Sequence, residues 1–168
     1  MHQSQQITTA LLREVKHRLY SECLARIHSC LNKLTDDQVW WRPNESSNSI
    51  GNLILHLNGN IRQWILTGLG GQEDHRRRQQ EFDERTHFSK EQLWNTLNQT
   101  MQELIPVIDN VTPEDLVNKR AVQTFEESGI TILIHVTEHF SYHTGQIAWI
   151  TKMLTSEDLG FYKGITLE

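Results

Sequence analysis

The chain has 168 residues, of which 37% are hydrophobic, and a formal charge of −5 at pH 7. That length suits one domain over residues 1–168 with room for a buried core. Acidic and basic residues are interspersed, no leader-like segment opens the chain, and no apolar run approaches the roughly 20 residues that span a bilayer, so we expect a cytoplasmic protein with neither a nucleic-acid nor a membrane partner.

Residues 7–34 carry the first helical pattern, with Ile7, Leu11, Val15, Leu19, Ile27, Leu31 and Leu34 recurring at helical spacing. Cys23 and Cys30 lie within it, seven residues and about 10 Å of helix rise apart, too far for a disulfide inside that helix. They read as reduced core thiols. Thr35-Asp36-Asp37 offers caps for a short turn that ends at Trp40-Trp41-Arg42-Pro43, since a proline pushes the residue before it out of helical geometry. Asn48 or Ser49 caps a second helix whose broad apolar face holds Ile50, Leu53, Ile54, Leu57, Ile61, Trp64 and Ile65. Gly68, Gly70 and Gly71 stop it.

Residues 72–88 are charged and poor in apolar side chains. They predict a mobile or surface-draped crossover, within which His75-Arg76-Arg77-Arg78, mixed with Glu73, Asp74, Glu81, Asp83 and Glu84, reads as solvated. Ser89 with Gln92 forms a capping box that opens a third helix through Leu93, Leu97, Met101 and Leu104, which Pro106 is expected to kink or shorten. Thr112-Pro113-Glu114 starts another turn, residues 120–125 hold a short extended piece, and residues 130–154 form the last helix. Four amphipathic helices with one long crossover predict an all-α, four-helix bundle.

The last helix poses the chemical question. Ile132, Val136, His139, His143, Ile147, Ile150 and Leu154 step by three or four and make one apolar seam, so two imidazoles take successive core positions. Burying such groups unpaired costs about 1–3 kcal/mol each, while residues four apart on a helix reach a common ion. On chemistry alone, hydrogen-bonded core histidines and metal ligands both remain open. His135 lies roughly 80° off this seam and about 12 Å along the axis from His143, so it is the poorest ligand of the row. His56, the single histidine of the second helix, falls toward the edge of that helix's apolar face.

Together, "SNSIGNLILHLNGNIRQWILTGLGG" and "HVTEHFSYHTGQI", joined through the "WWRP" turn, resemble the DinB/YfiT-like superfamily of metalloenzymes over nearly the whole chain. The resemblance implies a four-helix bundle of unusual helix order, often a homodimer, that holds a divalent ion by three histidines, here His56, His139 and His143. Thr144 departs from the arginine common in the family at that place, which leaves the ligands untouched but puts any substrate contact from that position in doubt. Three imidazoles suit zinc, nickel or another first-row ion. No fourth ligand of obvious spacing is present, which favours an open site. Relatives implied by the resemblance include S-transferases or isomerases using a low-molecular-weight thiol, and hydrolases.

The working expectation is therefore a metal-dependent enzyme acting on a small molecule by thiol S-transfer. Metal-dependent hydrolysis and a non-catalytic, metal-stapled bundle are the alternatives. No catalytic residue is assigned. Glu138, Asn60, Tyr142 and Gln146 are the sequence candidates for partners of the ligands. Trp40, Trp41 and Trp64 read as core or dimer-face residues before substrate walls.

Overall fold

Side-chain caps set where the elements begin. Thr35, Ser49, Ser89 and Thr112 each close a capping box with the residue three positions on, and Ser128 accepts from the Thr131 amide. The computed structural model describes residues 3–85, 88–164 and 166; residues 86 and 87 of the expected crossover lie outside it. The first rod consists of α1 (Gln3–Lys16), a wider π-wound stretch (His17–Leu24) and α2 (Ala25–Lys33). The short α3 (Asp36–Trp40) precedes α4 (Ile50–Ile61), which continues through a second π-wound stretch (Arg62–Thr67). There Gly68 N–H donates to the carbonyl of Gln63, five residues back, at 3.2 Å. Then come α5 (Arg78–Asp83), α6 (Lys90–Asp109), α7 (Pro113–Val117), the antiparallel pair β1 (Lys119–Val122) and β2 (Phe125–Ser128), and α8 (Gly129–Thr155).

The all-α expectation holds, with one small hairpin where an extended piece was foreseen. α4 packs on α6 and α8, and the first rod on α8. Leu19, Ile27, Leu57, Ile61, Leu97, Met101, Ile132, Phe140 and Ile147 are fully buried and join the rods in a continuous core, each contributing about 1.5–3 kcal/mol of burial. Cys23 and Cys30 are buried free thiols within it. Ile7, by contrast, is exposed.

Two sequence expectations change. Pro106 does not shorten α6; it falls in the last turn, where the hydrogen bond it forgoes is one of the final ones and Asn110 Nδ2 caps its carbonyl at 2.7 Å. The crossover is not wholly draped on the surface. It forms α5, which packs against α4, and Asn52 Nδ2 ties it down by donating to the carbonyls of Glu81 at 2.9 Å and Glu84 at 3.0 Å.

Candidate metal centre

Asn52, His56 and Gly59 stand at successive turns on one stripe of α4, and α5 lies across them. Asn52 anchors the backbone of α5, as above. Gly59 leaves the space that Glu81 fills, since a Cβ there would come within 2.0 Å of Glu81 Oε1. His56 is thereby roofed over and only 6% exposed, deeper than the edge position its helix pattern suggested. Its ring lies 4.7 Å from that of Phe82, also from α5.

Glu81 Oε2 accepts from His56 Nδ1 at 2.9 Å. Arg76 grips the same carboxylate with both arms, Nε to Oε1 at 2.7 Å and Nη2 to Oε2 at 2.9 Å, and its Nη1 donates to Gln63 Oε1 at 2.9 Å. Gln63 in turn donates to Asp74 Oδ2 at 2.6 Å and accepts from Gln123 of the hairpin turn. The Arg76 side chain is 4% exposed and that of Glu81 10%, so the run read as solvated delivers a buried ion pair. Burial opposes the charge on Glu81, but hydrogen bonds from Arg76 and His56 outweigh it and hold the carboxyl below its ordinary value. An ionised Glu81 keeps the proton of His56 on Nδ1, which leaves the Nε2 lone pair free.

On α8 the core stripe runs through Val136, Phe140, Thr144, Ile147 and Thr151, not through the two histidines. Thr144 and Thr151 bury their hydroxyls by donating to the carbonyls of Phe140 and Ile147, each at 2.8 Å. His139 and His143 therefore flank the core, half-buried, and face α4. Thr144 points into the core and away from the site. His143 Nδ1 donates to Gln146 Oε1 at 2.6 Å, which again frees Nε2.

The three Nε2 atoms converge. Those of His56 and His139 are 3.0 Å apart, those of His143 and His139 3.2 Å, and the three potential donor atoms all lie within 4.8 Å of one another. Two metal–nitrogen bonds of about 2.0–2.1 Å at a tetrahedral angle would separate their nitrogens by about 3.3 Å, close to this spacing. Nδ1 of His139 is buried with no partner among the described residues, and an ion would not change that; its Nε2 decides the fit, because a single proton there could serve one neighbour but not both. A cation shared by three lone pairs removes that conflict. Burial, reinforced by His143, His56, His135 and Arg76, pushes His139 down to about 3, so it is neutral as a ligand must be. Burial lowers His143 too, against the pull of Gln146.

His135 does not join the cluster. It stacks on Trp64 with ring centroids 3.9 Å apart, and its Nε2 lies 3.4 Å from Asn60 Nδ2. Of the partners foreseen from sequence, Gln146 meets His143 through a hydrogen bond, and Tyr142 sets its ring edge-on 5.0 Å from the same imidazole. Asn60 faces His135 instead, and Glu138 is exposed. Glu81, Arg76 and Gln63 went unforeseen; the signal was the glycine one turn after His56, where a carboxylate needs room. Beside His56 and His139 a cleft of about 340 Å³ opens, walled by Trp64, Phe125, His135, Arg76, Arg78 and Gln123 among others. Trp64 thus serves both the core and this wall.

A family model described as a protein of unknown function (DUF1572) matches residues 6–166. Among solved structures, a DinB-like protein from Bacillus cereus is similar at 15% identity, over 80% of this chain and 87% of that one, with a TM-score of 0.64. A conserved protein from Enterococcus faecalis is similar at 13% identity over 91% and 98%, with a TM-score of 0.65. No curated protein matches the sequence.

Proposed function

The chain belongs to the DUF1572 family of unknown function and has the DinB-like fold, and from that premise we propose that it is a metal-dependent enzyme with His56, His139 and His143 as ligands. The observation that carries this is the convergence of three Nε2 atoms beside a cleft, with the outer nitrogens of His56 and His143 each committed to a hydrogen bond. Zinc or nickel suits three imidazoles. Bound there, a divalent cation supplies Lewis acidity that makes a thiol or a water nucleophilic near neutral pH.

The chain's own groups prepare the site. Glu81 and Gln146 accept the outer protons of His56 and His143, which orients both rings and raises the basicity of Nε2. Arg76 fixes Glu81 in turn. Trp64, Phe125 and His135 offer apolar surface to the body of a small-molecule substrate and exclude water from around it.

The working reaction is S-transfer from a low-molecular-weight thiol to an electrophile. Metal-dependent hydrolysis is the second enzymatic reading. The open cleft speaks against a third, in which an ion only staples α4 to α8. We propose further that residues 1–168 act as one cytoplasmic domain and pair as a homodimer. A panel of thiols and electrophiles, assayed with metal-loaded and chelated protein, tests the reaction. Metal-dependent conjugation is expected; ester or amide turnover without added thiol would transfer the assignment to hydrolysis.

A further inference from the structure

The cleft beside the histidines has an aromatic wall and a charged rim. His135 lies flat on Trp64, and Phe125, half exposed on β2, follows with its ring 6.4 Å from that of Trp64. Arg78 reaches the same cleft from α5. Its guanidinium carbon sits 4.8 Å from the centroid of Phe82, whose ring packs on His56, so the cation rests on a ring that itself touches the histidine cluster. The two arginines of this wall differ in availability. Arg76 is committed to Glu81 and Gln63, whereas among the described residues no carboxylate pairs with Arg78. Glu127 adds one negative charge to the wall.

We propose that this cleft takes a small organic monoanion, a carboxylate carried on a flat apolar body, with the carboxylate on Arg78 and the body against Phe125 and His135, the more exposed rings of the aromatic wall. The proposal rests on the cleft being the substrate side of the histidine site and names the substrate class for it. A guanidinium presents two parallel N–H groups that match a carboxylate. Arg78 is one guanidinium without a carboxylate partner among the described residues and can pair with one carboxylate, whereas the further charges of a polyphosphate would find no second free cation on this wall and Glu127 disfavours any added negative charge. A volume of about 340 Å³ is at the lower end of the roughly 300–1,000 Å³ typical of small-molecule sites, which fits a single-ring molecule.

Calorimetric titration with phenylacetate, phenylacetamide and phenethylamine tests this in both the metal-free and the zinc-loaded protein. The acid should bind at least about tenfold more tightly than the isosteric amide in both states, because it alone pairs with a charge. Arg78→Gln should abolish that preference. Arg77→Gln, at an exposed arginine outside the cleft wall, should keep it. Equal binding of acid and amide, preferred binding of the amine, or no binding of any probe at millimolar concentration overturns the proposal. So does an acid preference confined to the zinc-loaded protein and indifferent to Arg78→Gln, which would place the carboxylate on the ion. A failure of the histidine site is seen separately, as absence of zinc uptake, while the metal-free titrations still report on Arg78.

Discussion

Among the described residues His139 is the only one of the three proposed ligands whose outer nitrogen has no partner, so packing alone sets its orientation. Replacing His56, His139 or His143 by Ala should lower metal affinity by more than about a hundredfold, since each removes a direct bond, whereas His135→Ala should leave it nearly unchanged. Glu81→Gln should cost about 10–100-fold, the range for a group that orients a ligand. Competition against a chromogenic chelator measures all five. The depressed histidines also fix a pH dependence. His139 stays neutral in the fold down to about 3, while in the unfolded chain it takes up a proton near its ordinary value of 6.5. Unfolding therefore binds protons in that window, and the metal-free protein should be most stable above it and lose melting temperature as pH falls through it. Glu81, held low, adds in the same sense at more acid pH. His139→Asn should flatten the profile measured by thermal melting. The pair on α8 stood out by its spacing, which left core packing and metal binding both open; the resemblance joined it to His56. Glu81 was not, because a charged residue in a short polar segment carries no periodicity and its partner lies 25 residues away in sequence.

At the scale of elements, the crossover differs most from what its composition suggests. Charges in a run read as solvated until their partners are known, and Arg76 finds Glu81, Gln63 and the backbone of His56 beneath α5. Arg76→Ala should destabilise the protein by about 3–5 kcal/mol, the cost of stranding a buried carboxylate, whereas a solvated arginine would change stability by no more than about 0.5 kcal/mol. Denaturant unfolding separates the two. Gly59→Ala should push Glu81 off His56 and reproduce the loss of metal affinity seen in Glu81→Gln, because the added Cβ has no room beside Oε1. The stripe Asn52, His56, Gly59 records in α4 the seating of α5, but only a view of α5 gives it meaning. On α8 the hydropathy pattern placed the seam on the histidines; the core instead uses Phe140 and two threonines that satisfy their own hydroxyls, a device that hides buried positions from any apolar count.

At the scale of the whole molecule, the bundle was legible because apolar periodicity marks the four long helices, because caps agree with it at the second and third, and because the glycines after Thr67 end the second rod, with Gly71 at φ 70°. The π-wound stretches were not, since a one-residue widening leaves the apolar spacing almost intact. Ile130, Ile134, Tyr142, Trp149 and Met153 leave an exposed apolar stripe along α8, with Trp41 nearby at the surface. That stripe should be covered by a second copy, so light scattering at micromolar concentration should report a dimer and Trp149→Glu a monomer. Wild type found monomeric would remove the dimer and leave the site intact. The metal itself should stabilise the fold by mass action, by about 2.7 kcal/mol at a hundredfold excess over its dissociation constant. The most direct measurement is the metal content, by mass spectrometry, of protein purified without an affinity tag, alongside the His143→Ala variant. About one zinc or nickel ion per chain in the wild type and little in the variant is the predicted result. A wild type that carries no more metal than His143→Ala, and takes none up on titration, would contradict the three-histidine centre.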